Sequence, residues 1–474
     1  MNEATRLRTI RSFVSIGIAN TITEYIPLLR NPTVKKSFYL LIVAMVTPLL
    51  GGCLDNGSPA DPPADLAATA GDGRVMITWT ASPGVDYWLF TATDPSLTAF
   101  NWISLPNAHA STWVSSPYYV CNLFSGTTYY YAMNARTGGG PGGASSTTVS
   151  ATPYDASANW TPGSTGSTPN LYGVGYTSLT TCSNNATSAT GSFAAVGQGG
   201  AIFTSNDGKS WINQLAPSGF TTDLYAVTGY AANQNYPSNP ALRWVAVGAG
   251  GVSVFSIDGT SWAIGRPENS TSPYPALRSI TQVSGTYFAV GDTGTILSST
   301  DGISWTTRTS GTIENLNGVT HGTIHVAVGD NGTILTSGDG NTWTARTSGT
   351  TNHLRQVTSF GNVYVAVGDT GTIVSSKDGG ATWMLRTLPG TPTTNLVGVS
   401  AEFHLVANAL PDSELGYISI AQFVAVDSTG NTYTSPNGII WSAATGTGIS
   451  TNALVSSGFG YVAAGNLGAV AHAF

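Results

Sequence analysis

Residues 325–343 read HVAVGDNGTILTSGDGNTW, and copies of this stretch recur along most of the 474-residue chain. Two close copies are YFAVGDTGTILSSTDGISW at 287–305 and YVAVGDTGTIVSSKDGGATW at 364–383. Looser copies end at Trp211, Trp262 and Trp441, and a final one at 461–474, YVAAGNLGAVAHAF, stops before its tryptophan. Self-similarity with a period of about 40–50 residues indicates a repeat architecture.

Each repeat predicts four short strands. The first strand follows an L-x-x-V or L-x-x-I pattern, and the second is the Val-Ala-Val run. The third has a sequence such as Thr-Ile-Leu, and the fourth starts at the tryptophan. Gly and Asp separate these runs, and no segment keeps a helical period. Four strands in a repeat of this length predict a β-propeller blade. The first strands are expected to begin at Leu171, Leu224, Leu277, Leu316, Leu354 and Leu396, with Leu454 beginning a degenerate seventh.

The phrase Ser-x-Asp-Gly-x-x-Trp joins the third strand to the fourth. Its Ser and Asp side chains can accept backbone hydrogen bonds and close a turn, the Gly supplies a positive φ, and the Trp buries a large ring. The phrase resembles the Asp box of BNR-type propellers, which occur in sialidases and in many non-enzymatic proteins. With Ala-Val-Gly upstream, it also resembles the propeller of the photosystem II assembly factor family. The structural Asp-box residues are Asp207, Asp258, Asp301, Asp339, Asp378 and Asn437.

A spare tryptophan strand precedes the first full repeat. The segment ANWTPGSTGSTPNLYGV at 158–174 aligns with TWTARTSGTTNHLRQV at 342–357, whereas the seventh repeat lacks its own Trp strand. We therefore expect the strand at Trp160 to close the ring, because closure protects the sheet edges. This predicts a seven-bladed β-propeller over residues 158–474.

The beginning of the chain is typical of an export signal. Lys35 and Lys36 precede an apolar run at 38–50 and then Gly51-Gly52-Cys53. This resembles a bacterial lipobox, which implies that residues 1–52 are a leader and that Cys53 is acylated, so that acyl chains hold the protein in a membrane. Leu54, which is not Asp, then favours the outer membrane, with the protein periplasmic or surface-exposed. A plain secretory peptide and a short helix of the fold are the alternatives, and we expect the true start at Val34.

Residues 53–61 are expected to be a tether, and residues 62–153 resemble a fibronectin type III domain. The resemblance is carried by the alternating RVMITW at 74–79, with Trp79 at the core position, and by Tyr129 at the tyrosine-corner position. It implies a spacer domain. The predicted fold class is thus all-β, a seven-bladed β-propeller with an N-terminal fibronectin type III-like β-sandwich.

Composition limits the partners. Beyond residue 52 the chain has 11 basic and 22 acidic residues, which disfavours nucleic acid as a ligand. Cys121 and Cys182 either pair, as an oxidising compartment allows, or stay free. We expect a monomer.

Catalytic signals are weak. A sialidase needs an arginine cluster, a Tyr–Glu pair and an acid, and the Arg-Ile-Pro phrase of that family is missing from the sequence. Asp292, Asp330 and Asp369 occupy equivalent turns rather than opposed positions around a substrate. The six histidines show no ligand spacing of a metal site. We therefore expect no catalytic residue, no metal and no cofactor.

Two surfaces are candidates for binding. Arg278, Arg355 and His353 are expected at the channel mouth, where they meet an anionic group or are simply solvated. On the opposite face, long loops are predicted at 176–192, 229–243 and 401–422, where insertions commonly add function. The aromatic residues of that predicted protein-binding patch are Tyr230, Tyr236, Phe403 and Tyr417.

The predicted function is a non-catalytic protein-binding or assembly scaffold at the cell envelope. The rival interpretation is a glycan-directed propeller, either lectin-like or a divergent sialidase-like glycosidase, and a third is a surface adhesin. Because a propeller fold does not imply a function, the sequence leaves the protein or glycan partner open.

Overall fold

The computed structural model describes residues 58–71, 73–121, 123–138, 142–154, 159–178, 191–230, 244–266, 274–390, 392–407, 417–457 and 460–474. Regular structure within these residues consists of strands and short 3₁₀ turns, which confirms the predicted all-β class. In this part of the chain, no helix has the length and apolarity needed to cross a membrane. The predicted leader, Cys53 and Tyr236 lie outside the described residues.

The chain divides into two compact units. The smaller comprises Met1–Pro62, Ser82–Asp86 and Asn134–Ala144, and the larger comprises all other residues. Within the described part of the smaller unit, Pro59 pairs with Arg136 and Ala60 with Ala135.

The first eight strands form two antiparallel sheets, of which one is β2-β3-β6 and the other contains β1, β4, β5, β7 and β8. Arg74–Thr78 alternates between buried and half-buried residues, as its sequence pattern predicts. In the larger unit, the Tyr129 hydroxyl accepts a hydrogen bond from Phe124 N at 3.1 Å. Cys121 is disulfide-bonded. The strands are β1 (Pro59–Ala60), β2 (Ala67–Gly71), β3 (Arg74–Thr78), β4 (Val85–Ala92), β5 (His109–Val114), β6 (Tyr118–Cys121), β7 (Tyr129–Thr137) and β8 (Val149–Ala151).

Seven four-stranded antiparallel sheets, here numbered 1 to 7, make up the remaining described strands. Sheet 1 contains β10 (Leu171–Ser178), β11 (Gly191–Gly197), β12 (Ile202–Ser205) and β13 (Ile212–Asn213). Sheet 2 contains β14 (Leu224–Gly229), β15 (Trp244–Gly248), β16 (Ser253–Ser256) and β17 (Ala263–Arg266). Sheet 3 contains β18 (Leu277–Val283), β19 (Thr286–Gly291), β20 (Ile296–Ser299) and β21 (Thr306–Arg308). Sheets 4 and 5 are β22 (Leu316–His321), β23 (His325–Gly329), β24 (Ile334–Ser337), β25 (Thr344–Arg346); and β26 (Leu354–Phe360), β27 (Val363–Gly368), β28 (Ile373–Ser376), β29 (Met384–Arg386). Sheet 6 is β30 (Leu396–Ala407), β31 (Tyr417–Asp427), β32 (Thr432–Ser435) and β33 (Ser442–Ala444), and sheet 7 is β34 (Thr451–Ser456), β35 (Tyr461–Gly465), β36 (Ala469–Ala473) and β9 (Thr161–Ser164).

Neighbouring sheets pack face to face, and their first strands contact one another in a cycle that returns from β34 to β10. Second strands such as His325–Gly329 are buried at every residue, because a sheet covers each of their faces. The first strands approach so closely that a Cβ on Gly173 would lie 2.7 Å from the Tyr225 carbonyl oxygen. This arrangement is a β-propeller.

Sheet 7 takes its outer strand, β9, from the segment just before sheet 1. Val470 pairs with Gly163, and Ala471 with Pro162. The Trp160 ring lies 6.4 Å from that of Tyr461. A segment that precedes sheet 1 in sequence therefore completes the last sheet.

Two sequence predictions are wrong. The first strand of sheet 7 begins at Thr451 and not at Leu454. Thr451 pairs with Gly465 as Leu354, the first residue of sheet 5, pairs with Gly368. Leu454 is therefore equivalent to Val357, three residues into the strand. Residues 401–407 and 417–422 are strand rather than loop, because β30 and β31 pair as far as Ala407↔Tyr417.

Candidate functional site

The Asp-box carboxylates are bound within their own turns. In sheet 1, Asp207 Oδ1 accepts from Lys209 N at 2.8 Å and from Ser210 N at 2.7 Å. Trp211 Nε1 donates to the Gly208 carbonyl at 3.1 Å. Asp258, Asp301, Asp339, Asp378 and the amide of Asn437 accept equivalent backbone hydrogen bonds. The backbone N–H groups of Thr342 and Asn341 hold the pKa of Asp339 at about 2, so this carboxylate is a turn acceptor rather than a proton donor.

The second residues of the seven first strands line one cavity of about 510 Å³. We call this set the channel mouth: Tyr172, Tyr225, Arg278, Asn317, Arg355, Val397 and Asn452. Each follows the first residue of its strand, and the bulge after that first residue recurs in all seven sheets.

Arg278 and Arg355, which the sequence predicts at the mouth, are each held by a turn carboxylate. Arg278 Nε donates to Asp292 Oδ1, and Arg355 Nε donates to Asp369 Oδ1. The arginine side chains are 43% and 42% exposed. Both aspartates belong to the turn after the second strand of the same sheet, so each guanidinium is positioned and largely neutralised.

His353 links two sheets. Its Nδ1 accepts from Asn331 N at 3.3 Å and lies 3.1 Å from Asp330 Oδ1. Asn331 has φ 53°, a left-handed conformation that such a cap helps to hold. Burial raises the pKa of Asp330, but hydrogen bonds from Asn317 and Asn315 outweigh it and lower that pKa.

The cap that His353 makes recurs around the propeller. The side chain of the residue before a first strand accepts a hydrogen bond from a backbone N–H in the turn after the second strand of the preceding sheet. The other caps are Asp223 to Gly199 N, Asn315 to Thr293 N, Asn395 to Thr370 N and Asn170 to Leu467 N. The His353 side chain thus connects sheets 4 and 5 by a hydrogen bond. The repeat pattern alone does not reveal this contact.

Sequence reasoning missed the aromatic part of the mouth. The rings of Tyr172 and Tyr225 lie 5.8 Å apart, at an interplanar angle of 57°. Burial, and then the charge of Asp223, raise the pKa of Tyr225, whereas Arg278 lowers it. Tyr225 and Arg278 line the same cavity. The signal was available, because both tyrosines follow a strand-initial Leu just as Arg278 and Arg355 do.

The opposite face carries the hairpin of β30 and β31. It extends six residue pairs beyond Ala401↔Phe423, from Glu402↔Gln422 to Ala407↔Tyr417. Phe403 pairs with Ala421, and Tyr417 pairs with Ala407 four positions further along the ladder. The side chains of Phe403 and Tyr417 are outside the described part, and Tyr230 directly follows β14.

A buried carboxylate holds the base of that hairpin. Glu402 is 4% exposed, and its Oε2 accepts from Ser456 Oγ at 2.7 Å and from Gly460 N at 3.2 Å. Ser400 Oγ accepts from Ser456 N at 2.9 Å. The hairpin therefore leaves sheet 6 from a base that is tied to sheet 7.

Within the described residues, no group of three or more His, Cys, Asp or Glu side chains is arranged to hold a metal ion. Comparison with curated proteins gives no match. A family model described as the DUF6242 beta propeller domain matches residues 241–351.

Several solved structures are similar to this chain at low sequence identity. YCF48 bound to D1 peptide is 15% identical, with a TM-score of 0.48 over 66% of this chain and 94% of that one. YCF48 from Cyanidioschyzon merolae is 15% identical, with a TM-score of 0.47 over 66% and 98%. Virginiamycin B lyase from Staphylococcus aureus is 11% identical, with a TM-score of 0.48 over 66% and 98%. The family match and the sheet topology together make the region of sheets 1 to 7 a β-propeller domain.

Proposed function

We propose that this chain is a cell-envelope lipoprotein whose propeller is a non-catalytic protein-binding or assembly scaffold. In this proposal, residues 1–52 are removed, acylated Cys53 anchors the chain, residues 53–61 are a tether whose Pro59–Ala60 segment pairs with β7, and residues 62–153 are a fibronectin type III-like spacer. Sheets 1 to 7 are the blades of a seven-bladed propeller over residues 158–474, which is supported by their cyclic contacts and by the β9–β36 pairing.

Two contacts support the spacer assignment. The Tyr129–Phe124 hydrogen bond matches a tyrosine corner. The Trp79 and Tyr87 rings meet edge to face at 5.5 Å, as expected for a core tryptophan. With Cys53 assigned to the lipid, we propose Cys182 as the partner of Cys121, which would tie the spacer covalently to the propeller. Peptide mapping without reduction tests this, and a Cys53–Cys121 peptide would contradict both assignments.

The single observation that carries the binding role is the β30–β31 hairpin. A two-stranded ribbon is marginal in water by itself, yet this one runs six pairs past the length of its sheet. Its sequence beyond Glu402 is FHLVA on one strand and YISIA on the other, which is largely apolar. A largely apolar ribbon that extends beyond its sheet is expected to be covered by a partner.

Site-specific photo-crosslinking in cells tests this role. A photoreactive residue at 403 or 417 is expected to capture one defined protein, whereas the same residue at Ile212, exposed on the outer strand of sheet 1, is expected not to. Removing 403–407 together with 417–421 keeps the Glu402↔Gln422 base and should abolish the adduct without unfolding the propeller. Identical adducts from 212 and from the hairpin would overturn the proposal.

A further inference from the structure

We propose that the channel mouth is a second binding site, for a neutral, hydroxyl-rich ligand such as the end of an uncharged glycan. It lies on the face of the propeller that carries the turns between second and third strands, opposite the hairpin. The proposal is independent of a protein partner at the hairpin. It rests on the aromatic pair, the two held guanidinium groups, the charge balance and the cavity.

Tyr172 and Tyr225 supply an apolar surface at one side of the mouth. Their rings contact each other at 5.8 Å, and both side chains line the cavity. A tyrosine ring offers a flat apolar face together with a hydroxyl that donates and accepts. Such a surface suits the C–H faces of a sugar ring, whose edges carry hydroxyl groups.

Arg278 and Arg355 supply hydrogen-bond donors at defined positions. Each uses Nε to bind its aspartate, and within the described residues neither makes a hydrogen bond through its Nη atoms. Both side chains are more than two-fifths exposed at the cavity. The Nη groups are thus oriented by the ion pair and available to a ligand, while the aspartates add acceptors beside them.

The charge of the mouth argues against an ionic ligand. Asp292 and Asp369 balance the two arginines, and Asp223 and Asp330 add further negative charge nearby. An anion would face this excess of carboxylates. A cation would find the carboxylates already engaged, by arginines at Asp292 and Asp369 and by hydrogen bonds at Asp223 and Asp330. Hydroxyl groups donate and accept at once, so a neutral polyhydroxylated ligand can satisfy adjacent donors and acceptors without bringing a charge.

The size of the cavity fits this class of ligand. Its volume of about 510 Å³ lies within the range of small-ligand sites, and its lining is rich in polar side chains such as Asn317, Gln356 and Asn452, which suits a hydroxyl-rich ligand. Val174, Val227, Ile280 and Val399 line its walls. The cavity is therefore large enough for a small polyhydroxylated ligand.

The test is binding of the full chain to an array of neutral oligosaccharides (glucans, mannans, galactans and chitin fragments) and their sialylated and sulfated counterparts. Neutral glycans are expected to bind, and titration of the best one should show about tenfold or greater loss in Tyr225→Ala and Arg278→Met. Arg308→Met is the matched control, because Arg308 is an equivalently held arginine on the outer strand of sheet 3, with its Nε on Ser298 Oγ. It should bind normally.

Tyr225→Phe keeps the ring and the fold, and should cost less affinity than Tyr225→Ala. Removing the hairpin residues 403–407 and 417–421 should leave glycan affinity unchanged, which separates this site from the proposed protein partner. Binding of acidic glycans only, binding of none of the panel, or affinity that survives both Tyr225→Ala and Arg278→Met would each overturn the proposal.

Discussion

Sheets 4 and 7 perform the same structural task with different outer strands. In sheet 4 the chain continues directly into β25, where Trp343 Nε1 donates to the Gly340 carbonyl at 3.3 Å and Arg346 Nε donates to Thr336 Oγ1 at 2.8 Å. In sheet 7 the strand is borrowed, and Gly163 stands where sheet 4 has Arg346. Trp160 Nε1 is buried without a partner among the described residues. The borrowed strand thus keeps the ladder but lacks both side-chain hydrogen bonds.

The difference between β25 and β9 indicates that the outer strand of sheet 7 is the least stably held part of the propeller. Pro162 replaces Ala345 and has no N–H to donate, and all four residues of β9 are exposed. What holds β9 is its ladder with β36 and the contact of Trp160 with Tyr461. The same set of contacts joins the two ends of the propeller chain, so its loss affects the whole domain.

The largest expected effect comes from removing the borrowed strand. A chain that begins at residue 168 leaves β36 as an open edge and uncovers Tyr461, so we expect it to lose at least about 4 kcal/mol of unfolding free energy and to self-associate. A chain that begins at residue 159 retains β9 and is the control. Urea titration and size-exclusion chromatography measure both effects. Equal midpoints for the two chains would show that the strand does not close the domain.

The second prediction concerns the position that faces the tryptophan. Tyr461 contacts Trp160 in sheet 7, whereas the equivalent residue of sheet 4 is His325, 5% exposed and 6.1 Å from Trp343. Burial, and then the neighbouring His321, lower the pKa of His325 from its ordinary 6.5 to about 4. Between pH 6.5 and about pH 4, His325 is therefore protonated in the unfolded chain but not in the folded chain. Stability is fully present above that pH and falls as pH drops towards 4, by at most about 3 kcal/mol.

His325→Phe should remove this acid-dependent loss, because a phenylalanine ring takes up no proton in the folded or the unfolded chain. Urea titrations at several values between pH 7 and pH 4 measure the difference between variant and parent. His109→Phe, at an exposed position of β5, should follow the parent curve. A parent and a His325→Phe variant with parallel pH profiles would mean that His325 takes up its proton in the folded state.

The third prediction compares the two indole N–H groups directly. Trp343→Phe loses a hydrogen bond as well as ring area, whereas Trp160→Phe removes a buried donor that has no partner in the described structure. We therefore expect Trp343→Phe to cost about 1 kcal/mol more than Trp160→Phe. Chemical denaturation of the two variants at pH 7 provides the measurement. A larger cost at Trp160 would show that its N–H is satisfied.

Much of the propeller could be read from the repeat because local signals determine each turn. The Ser-x-Asp-Gly phrase marks a turn whose hydrogen bonds span two to four residues. The sequence does not predict the start of β34, because Thr451 carries no apolar signal at the strand-initial position that Leu holds elsewhere. It predicts a loop rather than paired strands at 401–407 and 417–422, because β30 and β31 are longer than the corresponding strands of the other copies.

The channel mouth was only half predictable, since its contacts join residues far apart in sequence. Arg278 and Asp292 are 14 residues apart and meet only after β18 and β19 have paired. The cap from His353 to Asn331 requires two sheets to pack side by side. Sequence pattern identifies which residues are equivalent, but the partner of each side chain follows from strand register and sheet packing.

The smallest effect expected is that of the side-chain bond that sheet 7 lacks. Thr336 is 2% exposed, so Arg346→Met leaves a buried hydroxyl without its partner and should cost about 1 kcal/mol. In a Thr336→Val background the same change has no bond to remove and should cost almost nothing, so the double-mutant cycle isolates the pair. Urea midpoints of the four chains give the coupling. If Arg346→Met costs the same in both backgrounds, its aliphatic stem rather than the Nε bond stabilises β25, and Gly163 in sheet 7 would then mark lost packing instead of a lost hydrogen bond.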